Sequence, residues 1–300
     1  MTPDRSAASA IAGAGLRGSS RTRQLLADYV ELTKPKVQSL LLLTTIAAMY
    51  IAGDPSPGLV ALTCLGGYLS AGGAGAVNHW FDRDIDALMA RTANRPIPAG
   101  RIPPRAALTF GCTLAALSLI ELSLTVNPLA AALSFSGFLG YVFVYTVWLK
   151  RRTPQNIVIG GAAGAVPPLV GWAATTGSVG GTAVILFFIV FFWTPPHFWA
   201  LSLLMKDEYR KVGVPMLPVV RGEGETRRQI LLYAVTQLPF CAGAMGIAYL
   251  LASLALGVGF IALAWVLYRR ADRRSALRVY LYSLAYLALL FCAMVVDVHV

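Results

Sequence analysis

The sequence predicts an all-α protein: nine membrane-spanning helices around a central cavity that opens to the cytoplasmic side. Three observations predict it. Of its 300 residues, 57% are hydrophobic and 13% charged, with a mean hydropathy of +0.65, far more apolar than a soluble domain. Apolar runs of roughly 17 to 25 residues, the length a bilayer demands, recur at about 37–53, 58–77, 106–125, 128–148, 157–176, 182–204, 230–251, 254–268 and 279–297. Finally, five alternate segments hold all 25 Lys and Arg.

The first of these basic segments is the N-terminal tail. Residues 1–30 are rich in Ala, Gly, Ser and Arg and lack the apolar core of a secretory signal, so they read as a disordered tail ahead of one domain over 31–300. The scattered Arg also fits a short organellar transit peptide. The other basic segments are the loop from Arg83 to Arg105, the Lys150-Arg151-Arg152 turn, the loop from Lys206 to Arg228, and the Arg269–Arg278 loop. Opposite them lie short connections around Asp54, Asn127, Gly177–Gly181 and Ser253. The positive-inside rule then puts the N-terminus in the cytoplasm and the C-terminus outside a cell inner membrane, with the mitochondrial inner membrane as the alternative.

The second and sixth spans each empty into a long polar loop that begins acidic, turns basic and closes on prolines. This suggests two four-helix units, about 31–152 and 153–270, plus a ninth helix at 279–297, with both loops over one cavity. Gly72, Gly73, Gly75, Gly160, Gly161 and Gly164 allow close helix approach. Pro167-Pro168 and Pro195-Pro196 interrupt spans, either as kinks or as cavity walls. The charge of +11 does not point to nucleic acid, because the cations cluster between apolar runs. Cys64, Cys112, Cys241 and Cys292 stand singly and read as packing residues.

The chemistry concentrates in NHWFDRDIDALMARTANRP. In a helix, steps of four put Asn78, Asp82 and Asp86 on one face, where two carboxylates and an amide oxygen suit magnesium carried by a diphosphate. Asp84 lies some 200° round and should pair with a cation. Arg91, Arg95, Lys150 and Arg151, with Lys36, are expected to grip phosphate oxygens. In the second loop, Asp207 is a candidate metal ligand, and Lys206 and Tyr209 are candidate substrate contacts. His197, about 10 Å inside the end of the sixth span, is an ionisable residue at depth and so a candidate iron ligand or base. His79 turns about 100° from Asn78 and is a weaker candidate.

These residues resemble the UbiA superfamily of membrane-embedded prenyltransferases. Asn78-Asp82-Asp86 followed by Arg91-Thr92-Asn94-Arg95-Pro96 is similar to its first signature. LTKPK (32–36), LKRRTPQNIVIGG (149–161), WTPPHFWAL (193–201) and GVPMLPVVR (213–221) are similar to its haem-farnesylating branch. The resemblance implies transfer of farnesyl from farnesyl diphosphate to the 2-vinyl group of haem b, giving haem O, with magnesium as cofactor. It further implies possible partners among haem A synthase and terminal oxidase assembly proteins. The superfamily's second signature is an acidic pair, whereas here Lys211 stands four residues after Asp207. A quinone-precursor prenyltransferase is the alternative within the class, and a multi-span transporter the alternative outside it. Transporters place coupling acids near the midplane, whereas these sit at the mouth.

Overall fold

The computed structural model describes residues 21–242 and 246–300. Residues 1–20, most of the expected disordered tail, lie outside the described residues. From residue 21 the expectation of disorder fails, because 21–32 form a helix, α1. Its Asp28 is buried against Arg101 at 2.9 Å, which docks the helix on the first polar loop.

Thirteen further α-helices follow: α2 Pro35–Ala52, α3 Pro57–Phe81, α4 Arg83–Leu88, α5 Pro104–Thr125, α6 Pro128–Leu139, α7 Asn156–Gly164, α8 Val166–Thr176, α9 Gly181–Leu204, α10 Lys206–Lys211, α11 Leu217–Val220, α12 Gly222–Ala242, α13 Ile247–Arg270 and α14 Arg273–His299. Their starts follow from sequence. Pro opens α2, α3, α5 and α6, where its missing N–H costs nothing. Ser56, Asn127 and Asp272 accept from the free N–H groups of Leu59, Ala130 and Ser275.

Between α6 and Lys150 the chain widens into a π-helical run, Gly140–Leu149. Pro167 and Pro168 break the fifth span into α7 and α8. By contrast Pro195 and Pro196 sit inside an unbroken α9, both buried.

Among the described residues, eight helical segments are long and apolar enough to cross a membrane. α12 is not one of them, since Glu223, Glu225, Arg227 and Arg228 occupy its first two turns. It nevertheless packs lengthwise between α9 and α13. The turn expected at Ser253 is also displaced: Ser253 is buried inside α13 and donates to Leu250 O at 2.9 Å. A serine that bonds back to its own helix needs no turn, and the connection falls between Ala242 and Ile247 instead.

The helices form a closed bundle, with α14 packed on both α9 and α2. Glycines set its tightest seams. A Cβ on Gly73 of α3 would lie 2.6 Å from the Gly111 carbonyl of α5, and one on Gly75 would lie 3.0 Å from Leu32 O. The α1–α2 junction therefore rests directly on α3, and the site is built there.

Candidate active site

At the end of α3 the chain bends without leaving helical spacing. Asp82 N–H bonds Asn78 O at 2.9 Å and Asp86 N–H bonds Asp82 O at 2.8 Å. Asn78, Asp82 and Asp86 thereby form one row, and all three are buried. Asn78 Nδ2 donates to Asp82 Oδ2 at 2.8 Å and to Thr146 Oγ1 at 3.1 Å. Buried carboxylates need compensating charge, and the loops supply it. Lys150 pairs with Asp82, Arg151 stands 3.6 Å from its other oxygen, and Arg95 pairs with Asp86 at 2.6 Å. Asp82 Oδ1 still has no hydrogen-bond partner.

Asp84 turns away as its spacing predicts. Its carboxylate takes two 2.7 Å bonds from Arg151, which hold its pKa below the ordinary value.

Lys34 is the residue that sequence reasoning passed over. It occupies the left-handed region at φ 56° in the corner between α1 and α2, and this corner aims its ammonium at Asn78 Oδ1 (2.5 Å) and the Tyr141 hydroxyl (3.3 Å). Burial, with Arg95 and Lys150 nearby, lowers its pKa to about 7. The available signal was Pro35, which opens α2 and makes Lys34 the corner residue. Lys36, the residue expected here, is exposed. Thr146 was missed for another reason. It lies five residues after Tyr141, in register with it only because the run is π-helical, where Thr146 Oγ1 donates to Tyr141 O at 2.8 Å.

Lys34 and Tyr141 also stand at the head of an apolar cavity of about 200 Å³. It descends between α2, α3, α6 and the α7–α8 break, past Gln38, Thr45, Ala71, Gly137 and Val170. Pro167 lines it, with its carbonyl 3.3 Å from the Thr45 hydroxyl, so the first residue of that proline pair forms part of a cavity wall, while Pro168 is buried.

The second loop contributes less than expected. Asp207 is not brought to the acid row: its side chain is 83% exposed and pairs with Arg210 at 2.9 Å. Lys206 pairs with Glu223 at 2.9 Å, and Arg91 is exposed. Tyr209 is buried, which raises its pKa, and its phenol lies within the field of Arg91, Arg95, Asp82 and Asp86. The neighbouring Glu208 ties the two loops together by accepting from Ala90 N–H at 2.8 Å.

His197 stacks between Trp193 (centroids 4.4 Å apart) and Tyr280 (4.9 Å), and its Nδ1 lies 2.7 Å from Ser283 Oγ. Its described contacts are all on α9 and α14, not on the acid row.

Among the described residues no three His, Cys, Asp or Glu side chains gather into a metal cage. Two carboxylates with one amide oxygen remain a half-shell, the arrangement magnesium adopts when a phosphate completes it.

Residues 41–291 match the UbiA prenyltransferase family. The chain belongs to that family. Among UbiA relatives, Protoheme IX farnesyltransferase of Chloroflexus aurantiacus is 55% identical over 295 residues, covering 96% of this chain and 50% of that protein. The protein of the same name from Symbiobacterium thermophilum is 52% identical over 291 residues, covering 94% of this chain and 97% of its own. The chain thus spans about half the length of the Chloroflexus and Roseiflexus relatives it matches. The UbiA fold is shared with a solved digeranylgeranylglyceryl phosphate synthase at TM-score 0.75 and 20% identity, covering 92% of this chain and 99% of that one. A UbiA homolog from Archaeoglobus fulgidus bound to GPP and Mg2+ gives 0.65 at 18% identity, covering 89% and 99%.

Proposed function

We propose that this chain transfers the farnesyl group of farnesyl diphosphate to the 2-vinyl group of haem b, with water completing haem O and diphosphate leaving. One observation carries the reading: a buried Asn78-Asp82-Asp86 row is ringed by Lys34, Arg95, Lys150 and Arg151, and Lys34, bonded to Asn78, also lines the head of an apolar cavity. A polar head that binds diphosphate and a greasy shaft that takes an isoprenoid tail match the two ends of that donor. Relatives at 55% and 52% identity bear the name Protoheme IX farnesyltransferase, which supports haem over a quinone precursor as acceptor.

Asp82, Asp86 and the Asn78 amide oxygen would hold magnesium, and Asp82 Oδ1, which accepts no hydrogen bond, fits that role. When bound, the ion supplies Lewis acidity for the departing diphosphate. Asp207 is left out of this set because its carboxylate faces solvent. The cations that now neutralise the acids are placed to turn onto phosphate oxygens as negative charge develops there. The lining from Leu41 to Val170 keeps water from the allylic cation until the vinyl carbon captures it. The His197 ring, fixed by Ser283 through Nδ1, offers Nε2 to the acceptor.

The N-terminus and the acid row lie on the cytoplasmic side and the C-terminus outside a bacterial inner membrane, and the product passes to a haem A synthase or a terminal oxidase. Purified protein given haem b, farnesyl diphosphate and magnesium is expected to yield haem O by mass spectrometry. Asp82→Asn and Asp86→Asn should each cut turnover by about 100-fold or more, and chelation should stop it until magnesium is returned. Undiminished turnover in both variants would overturn the site.

A further inference from the structure

Lys34 borders a second cavity, of about 480 Å³, between α1, the start of α2 and the end of α3. Its polar lining is uneven. Among the described lining residues, Lys34, Lys36 and Arg95 face a single acid, Glu31, which lies 3.8 Å from Arg101. His79 completes the wall. It is 2% exposed, and neither ring nitrogen has a hydrogen-bond partner. A buried imidazole with both nitrogens unmet is costly. Both nitrogens are sealed in the structure, so a ligand bearing anionic oxygens would repair that deficit once the imidazole turns an N–H toward the cavity, where the cations supply counter-charge.

Lys150 and Arg151 serve the acid row without lining this cavity, whereas Lys36 and His79 line this cavity and make no bond to the row, so a second anion, distinct from the diphosphate, suits them. Haem b carries two propionates on the edge of the macrocycle away from its vinyl groups. We infer that this cavity holds the acceptor's carboxylates, with Lys36 and the His79 N–H as their specific contacts and Lys34 and Arg95 shared with the diphosphate. The inference rests on haem b being the acceptor. It assigns Lys36 and His79 to acceptor binding and accounts for an imidazole buried beside the acid row.

The test uses steady-state kinetics of the full chain in detergent and in lipid nanodiscs, with haem b or its dimethyl ester as acceptor. Lys36→Gln alters an exposed side chain and leaves the fold intact; His79→Phe removes both nitrogens. Each is expected to raise KM for haem b about tenfold while leaving KM for farnesyl diphosphate unchanged. With the dimethyl ester, wild type and Lys36→Gln should behave alike. An effect falling on farnesyl diphosphate instead would make the cavity part of the diphosphate site. An effect confined to nanodiscs containing phosphatidylglycerol would make it a lipid headgroup site. Equal effects on acid and ester would rule out carboxylates. Any of the three overturns the assignment while haem O is still made, whereas no haem O from the wild type removes the acceptor itself.

Discussion

Lys34 combines an unfavourable backbone with a favourable contact. A non-glycine residue in the left-handed region costs about 1 kcal/mol, and the residue before proline is restricted further. The ion–dipole contact with Asn78 Oδ1 at 2.5 Å offsets that cost. Lys34→Gly therefore should relax the corner and lose the cation. We expect a thermal midpoint in detergent no lower than wild type, a raised KM for farnesyl diphosphate, and the same KM with a less stable fold for Lys34→Ala. At this scale the sequence was readable where chemistry follows spacing: Asn78, Asp82 and Asp86 form the row that steps of four demand, and Asp84 turns to Arg151. It was unreadable where a side chain's neighbours come from distant helices. Asp207 has the right chemistry and the wrong direction, because α10 presents it beside Arg210.

Elements explain the remaining misses. The π-helical run shifts Tyr141 and Thr146 out of α register and onto the acid row, and no residue pattern announces such a run in advance. The close seams of α3 were legible, since Gly73 announced the approach of α5 and Gly72 that of the α1–α2 junction. Gly73→Val would press a side chain on the Gly111 carbonyl 2.6 Å away, so it should destabilise by about 1–3 kcal/mol, read as a lower midpoint in thermal unfolding. The Glu208–Ala90 bond links two loops that sequence could only suggest share one face. That N–H and Lys211 hold the Glu208 carboxyl below its usual range. The latch is then ionised at neutral pH and lost only as pH falls below ordinary carboxylate values. Glu208→Gln at neutral pH should let trypsin cut at Arg91 faster than in wild type, as seen by timed digestion.

For the whole molecule, apolar runs and proline starts made most helix limits readable. The turn into α13 was not, because an apolar stretch continues through it while Ser253 satisfies itself within the helix. Proposed orientation has a direct check. Ser178→Cys and Arg152→Cys should react with a membrane-impermeant thiol reagent from opposite sides of inverted and right-side-out vesicles, in an otherwise cysteine-free chain. Labelling from one side would refute the arrangement.

The apolar cavity has a further consequence. Along α2 its lining runs from Val37 to Thr45, and along α3 from Gly67 to Gly75, each about 12 Å of helix rise. Because Ala71, Ala74 and Gly137 are among the residues lining that shaft, its usable length depends in part on methyl groups that are present or missing. If the proposed donor occupies it, the shaft acts as a gauge for hydrocarbon chains, and one enlarged rung, Ala71→Leu, should shift preference from a fifteen-carbon donor to a ten-carbon one.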